Sequence, residues 1–349
     1  VKDVIAESVL RVVKGNMGVK EGENVLVLAD VPSIPEWKGK SLESLQDFVS
    51  RLMLARTVSG IIQEEISGFL SGVKFHPYPS CGGSGREPDS ETSQLMKAYD
   101  VILAMTTHSL THTVARSEAT ALGRRVASMP GVTAEMFYPE GALFADLAPM
   151  KEETERIARI LTGASSARVV SKNGTDLHLG LKGRSAKADT GVLDAPGAWG
   201  NLPAGEAYIA PLEGTCEGVL VVSAGWYPEL ERPLTITFKE GAVTEVEGGG
   251  RVGDGLRELL ESGMEPRFPE RRNCAELGLG TNPCAKRPDN LLEAEKIRGT
   301  VHIAIGDSSH MGGNVSADVH EDFVVANATL YLDGVCLMKD GVLDTECLG

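Results

Sequence analysis

The chain has 349 residues, 42% of them hydrophobic and 24% charged, with a net charge of -15. That length exceeds the size at which a single core usually stops growing, so two domains are expected. The acidic balance speaks against a nucleic-acid binder, since phosphate contacts need clustered Lys and Arg, and no apolar run reaches the roughly eighteen residues that would span a membrane.

The N-terminal string "VIAESVLRVVKG" has helical spacing and carries acids, unlike a signal peptide, so a cytoplasmic location is expected. "NVLVLAD" follows as a short apolar run ending in an acid, the pattern of a buried parallel strand. "LQDFVSRLMLARTVSGIIQEEI" is again helical. "VKFHPY" is a strand, "SQLMKAYD" a helix, "VILAMTT" a strand, "TVARSEATALG" a helix stopped by Gly123, and "RRVASMP" a strand. Alternation of this kind predicts an α/β N-terminal domain, residues 1–164, with a mostly parallel sheet. "KEETERIARILTGA" closes it as a bridging helix.

Near Ser165 the periodicity changes. "ARVVSKNGTDLHLGLKG" reads as two strands around an Asn-Gly turn, "PLTITFKEGAVTEVEGG" as a second hairpin, and "ATLYLDGVCLMKDGVLD" as a third with Asp-Gly turns. One helix, "VGDGLRELLESG", interrupts them. Residues 165–349 are therefore expected to form an α+β, β-rich antiparallel C-terminal domain.

Candidate sites in the first half are weak. The strand ends offer Asp30, "PSCGGSG" and "TTHSLTHT", where α/β proteins often bind ligands. "CGGSG" fits neither GxxxxGK[ST] nor GxGxxG. The spacing of His108 and His112 would let them face each other on a helix, but a helix-start role for Thr106, Thr107 and Ser109 reads better. The six cysteines, Cys81, Cys216, Cys274, Cys284, Cys336 and Cys347, form no CxxC pair and read as reduced thiols. Cys81 has no activating partner that the sequence assigns.

The second half is richer. Three of only seven histidines, His302, His310 and His320, crowd into "VHIAIGDSSHMGGNVSADVHEDF". In "VHIAIG" a strand places Val301, Ile303 and Ile305 on one face and His302 with small Ala304 on the other. In "VHEDF" His320 and Asp322 share a side, while Glu321 is expected to point away into solvent. "NLPAGEAYIAP" and "NCAELGLGTNP" add Glu206 and Glu276 among glycines and short strands, where an uncompensated carboxylate would be expensive to bury. Imidazoles and carboxylates together suit Zn, Co, Mn or Fe. The set is large enough for two ions, with one carboxylate bridging.

At "LPAGEAYIAP", "AELGLGTNP" and "GTVHIAIGD…GG…VHEDF", and at "SLTHTVARSEA" in the first half, the chain resembles the aminopeptidase T family of metallopeptidases. The resemblance implies a homodimer with a C-terminal catalytic domain and a two-metal centre of Zn, Co or Mn. Carried over position by position, the ligands are Glu206, Glu276, His302, His320 and Asp322. A Tyr ligand of that family falls on Ser309, and the adjacent His310 is the candidate replacement. The expected activity is removal of N-terminal residues from peptides with a free N-terminus by a metal-activated water. Glu206 and Glu276 are also the catalytic candidates. Two alternatives stand beside it. One is the iron-dependent, ring-cleaving dihydroxypyridine dioxygenases, which share the architecture. By that resemblance their first His falls at Glu276, and they lack an acid at Glu206. The other is a metal-binding homologue without catalysis.

Overall fold

A computed structural model describes residues 2–261 and 269–344, and Cys347 lies outside the described residues. The chain divides into two compact units, Val1–Leu147 with Gly191–Ala204, and Ala148–Thr190 with Gly205–Gly349. The division is thus not a single cut after residue 164. Helix Leu147–Gly163 groups with the second unit from Ala148 onward, because Ile157, Ala158 and Leu161 pack into that unit's core. Segment 191–204 returns to the first unit and supplies strand Trp199–Asn201 there.

The first unit is an α/β domain. Its sheet runs in the order Gly72–Pro79, Asn24–Val31, Val101–Ala104, Arg125–Ser128, Trp199–Asn201, with every pairing parallel. Strand Asn24–Val31 shows why its run is continuously apolar. Val25, Val27 and Ala29 enter one core cluster, and Leu26 and Leu28 enter another on the opposite face. Helices must therefore cover both sides. Helix Leu42–Ile66 buries Phe48, Leu54, Ala55, Val58, Ile61 and Ile62 at helical spacing. Helix Val114–Ala121 lies within the expected string "TVARSEATALG". Its cap is Thr113, whose side chain accepts from the Arg116 amide at 3.2 Å, not Thr106, Thr107 or Ser109.

The second unit is β-rich and antiparallel, as expected. An eight-stranded sheet contains the three expected hairpins. In the last of them Asp333 and Gly334 both take positive φ, 48° and 82°, as a tight Asp-Gly turn requires. The second sheet carries five strands in the order His320–Val325, Val301–Gly306, Cys274–Gly280, Glu206–Ile209, Lys187–Asp189, all antiparallel. One face of this sheet is apolar. Val301, Ile303, Ile305, Leu277, Leu279, Phe323 and Ile209 join the core together with Val169, Leu177, Leu220 and Ile236 of the larger sheet. The other face carries the polar residues described next.

Candidate metal centre

Pairing register gathers the site. Gly280 lies opposite Glu206, Gly278 opposite His302, and Ala304 opposite both Glu276 and Asp322. Directly paired residues share a face and alternate residues return to it, so Glu206, Glu276, His302, His320 and Asp322 all emerge on one side. A bulge between Cys274 and Glu276 adjusts the middle strand at its acid. Gly278 leaves space for the imidazole: a Cβ there would lie 1.9 Å from His302 Nε2. Small Ala304 leaves room beside it.

Glu276 stands at the centre. Its Oε1 is 3.1 Å from His302 Nε2, and its Oε2 is 3.2 Å from His320 Nε2. His302 Nε2 also lies 3.3 Å from Glu206 Oε2, and His320 Nε2 lies 3.6 Å from Asp322 Oδ1. Two ligand-type groups result, Glu206–Glu276–His302 and Glu276–His320–Asp322, each with its donor atoms within 4.8 Å of one another. Both can hold a divalent ion, and Glu276 belongs to both. The buried atoms Glu206 Oε2 and Asp322 Oδ1 have no hydrogen-bond donor, although each is turned toward an imidazole. Buried acceptors left this way are costly unless a cation meets them, so the donor set fits a metal.

Electrostatics agree. Burial pulls the His302 pKa down, but the Glu276 hydrogen bond and the Glu206 charge outweigh it and raise it to about 9. Burial raises the Glu276 carboxyl, but hydrogen bonds from His302 and His320 bring it to about 2. The pocket therefore stabilises positive charge. The two groups differ in access. Glu206, Glu276 and His302 are buried, whereas the side chains of His320 and Asp322 each remain 19% exposed.

The neighbours of the five were not visible in the sequence. Lys296, 1% exposed, places its ammonium 2.5 Å from Glu206 Oε1 and 2.6 Å from Glu295 Oε1. Nothing in the charge-rich string "EAEKIRG" marks a buried ammonium. The backbone carbonyl of Asp307 accepts from His320 Nδ1 at 2.7 Å, which turns Nε2 toward Glu276 and Asp322. His310 lies outside both ligand groups. Its Nδ1 donates to Asp307 Oδ2 at 2.7 Å, and its ring stands edge-on to His320 with centroids 5.2 Å apart. Ser309, at the position of the resemblance's Tyr, donates to Asp307 Oδ1 at 2.8 Å. Glu321 does not point into solvent: it accepts a hydrogen bond from Tyr227 and is half-buried.

The first-half candidates form no such group. Among the described residues both ligand groups lie in the second unit. Asp30 caps the neighbouring loop, accepting from the amides of Thr107 at 2.7 Å and His108 at 3.2 Å. His108 and His112 do not share a helix. His108 pairs with Glu36 Oε1 at 3.0 Å, and His112 stands edge-on to Trp199. Burial pushes the Cys81 thiol up, the wrong direction for a nucleophile.

Comparison with known proteins gives four findings. A family model described as 2,5-dihydroxypyridine 5,6-dioxygenase matches residues 10–345. The chain is 24% identical over 278 residues, 75% of each chain, to the 2,5-dihydroxypyridine 5,6-dioxygenase of Pseudomonas putida. Its fold is similar to the solved structure of 2,5-dihydroxypyridine dioxygenase from Pseudomonas putida, with a TM-score of 0.72 and 19% identity over 99% of this chain and 98% of that one. It is also similar to wild-type AmpT from Thermus thermophilus, with a TM-score of 0.65 and 17% identity over 98% and 99%.

Proposed function

The chain belongs to the 2,5-dihydroxypyridine 5,6-dioxygenase family, and we propose that it is a metal-dependent oxygenase that opens a dihydroxylated pyridine ring with dioxygen. This replaces the expectation of a metallo-aminopeptidase. Hydrolysis and a peptide substrate fall together, because the family match spans nearly the whole chain and names an oxygenase. The peptidase reading counts Glu206 and Glu276 as two free ligands, whereas Glu206 is already paired with Lys296.

The observation that carries the proposal is the meeting of Glu276, His320 and Asp322 at the more open end of the cluster. These three would hold the ion, and a mixed imidazole–carboxylate set suits divalent iron. When bound, iron would supply the unpaired electrons through which triplet dioxygen can react with a closed-shell ring, the ring itself being the group oxidised. The rest falls to the chain's own groups. Asp307 holds His320 in one ring orientation through its carbonyl, and through its carboxylate it holds His310 at Nδ1. His310 can then accept a proton from a substrate hydroxyl at Nε2, as a carboxylate-oriented imidazole does elsewhere. Glu206, Glu276 and His302 are buried and would shield a bound ion from water on that side.

The test is oxygen uptake. Protein loaded anaerobically with Fe(II) is expected to consume dioxygen when 2,5-dihydroxypyridine is added, with loss of the ring's absorbance. Loaded protein that leaves both unchanged would overturn the assignment.

A further inference from the structure

The five ligand-type residues would satisfy two ions, yet one of the two positions already contains a cation. We propose that Lys296 takes the place of a second metal ion, holding Glu206 out of ligation so that the cluster accepts a single divalent ion at Glu276, His320 and Asp322. The inference rests on the metal-binding reading above.

Geometry comes first. The Lys296 side chain is 1% exposed. It sits 2.5 Å from Glu206 Oε1 and 2.6 Å from Glu295 Oε1. Glu206 Oε2 is the same carboxylate's other oxygen and points at His302 Nε2, 3.3 Å away. A dication in the Glu206–Glu276–His302 group would therefore share a carboxylate with an ammonium already bound to it. Like charges that close in a buried setting repel strongly.

Charge comes second. Burial works against the Lys296 charge, but Glu206 and Glu295 outweigh it and keep the amine well above its usual range.

The experiment counts ions. Metal-free protein is titrated with Mn(II), and bound ions per chain are counted by native mass spectrometry, with circular dichroism as the control for folding. Wild type is expected to take one ion. Lys296→Met is expected to take two, and the second should vanish in the Lys296→Met/Glu206→Gln double variant. Glu206→Gln alone should keep its one ion with affinity lowered by no more than about 100-fold, as for a group outside the ligand set. This arm decides the matter even if Lys296→Met fails to fold. Two ions in wild type, one ion in folded Lys296→Met, or loss of the ion in Glu206→Gln would each overturn the proposal. No ion in any of these proteins would overturn the metal-binding reading itself, and wild type alone reveals that case.

Discussion

Gly278 has no side chain because the His302 imidazole occupies that place. A Cβ there would come within 1.9 Å of Nε2, far inside contact distance. Gly278→Ala is therefore expected to push His302 out of the cluster, at a cost of about 1–3 kcal/mol in stability. Thermal unfolding together with metal content measures it, and an unchanged Tm with full metal would contradict the packing argument. At Asp322 the expectation is different. Its Oδ1 has no hydrogen-bond donor to lose, so Asp322→Asn should keep the fold yet weaken metal binding more than about 100-fold, beyond the effect of an outer group. His310→Ala should keep its metal and lose about 10²–10⁴ in turnover, the range of a lost proton acceptor. Full turnover in that variant would remove His310 from the chemistry. The five residues that meet on the sheet were legible because residue type and a period of two singled them out. Lys296 was not, since a buried ammonium is specified by Glu206, ninety positions away in the chain. Nor was the contact of His310 with Asp307, which depends on the loop that carries both.

At the level of elements, hydrophobic pattern carried most of the fold. The apolar runs around Val27 and Leu103 became parallel strands, and the Asn-Gly and Asp-Gly turns became hairpins. Pattern failed where elements are short or depend on distant partners. Strand Trp199–Asn201 has three residues, too few for any period, and exists because it pairs with Arg125–Ser128. The 108–112 segment looked helical, but Asp30 and Glu36 hold it as a loop. Helix Ile34–Gly39 yields a prediction of its own. Burial raises the Glu36 carboxyl, but hydrogen bonds from Ser33, His108 and Ser80 outweigh it and bring its pKa to about 2, below the ordinary value of 4.5. A carboxyl depressed on folding stabilises the folded state above its unfolded pKa, and that stabilisation is lost as pH falls through the folded one. The stability difference between wild type and Glu36→Gln should thus be full above about pH 4.5 and shrink toward pH 2. Unfolding curves of the two proteins that stay parallel across that window would contradict the cap.

For the whole molecule, fold alone does not choose the chemistry. The same architecture matches both a dihydroxypyridine dioxygenase and AmpT, so the α/β unit and the antiparallel second unit are compatible with either. Reading the ligands from sequence favoured hydrolysis, because acids can be counted there while their pairing cannot. What separates the readings is how many of those acids remain available to a metal, and Lys296 removes one. Among the described residues no helix is long and apolar enough to cross a membrane. An oxygenase draws the new oxygen atoms of its product from dioxygen, so their origin distinguishes it from a hydrolase. Fe(II)-loaded protein is incubated with 2,5-dihydroxypyridine under ¹⁸O₂, and the ring-opened product is weighed by mass spectrometry. Incorporation of both labelled atoms is the predicted result. A product formed without label, its oxygen drawn from water, would mean hydrolysis and overturn the assignment as an oxygenase.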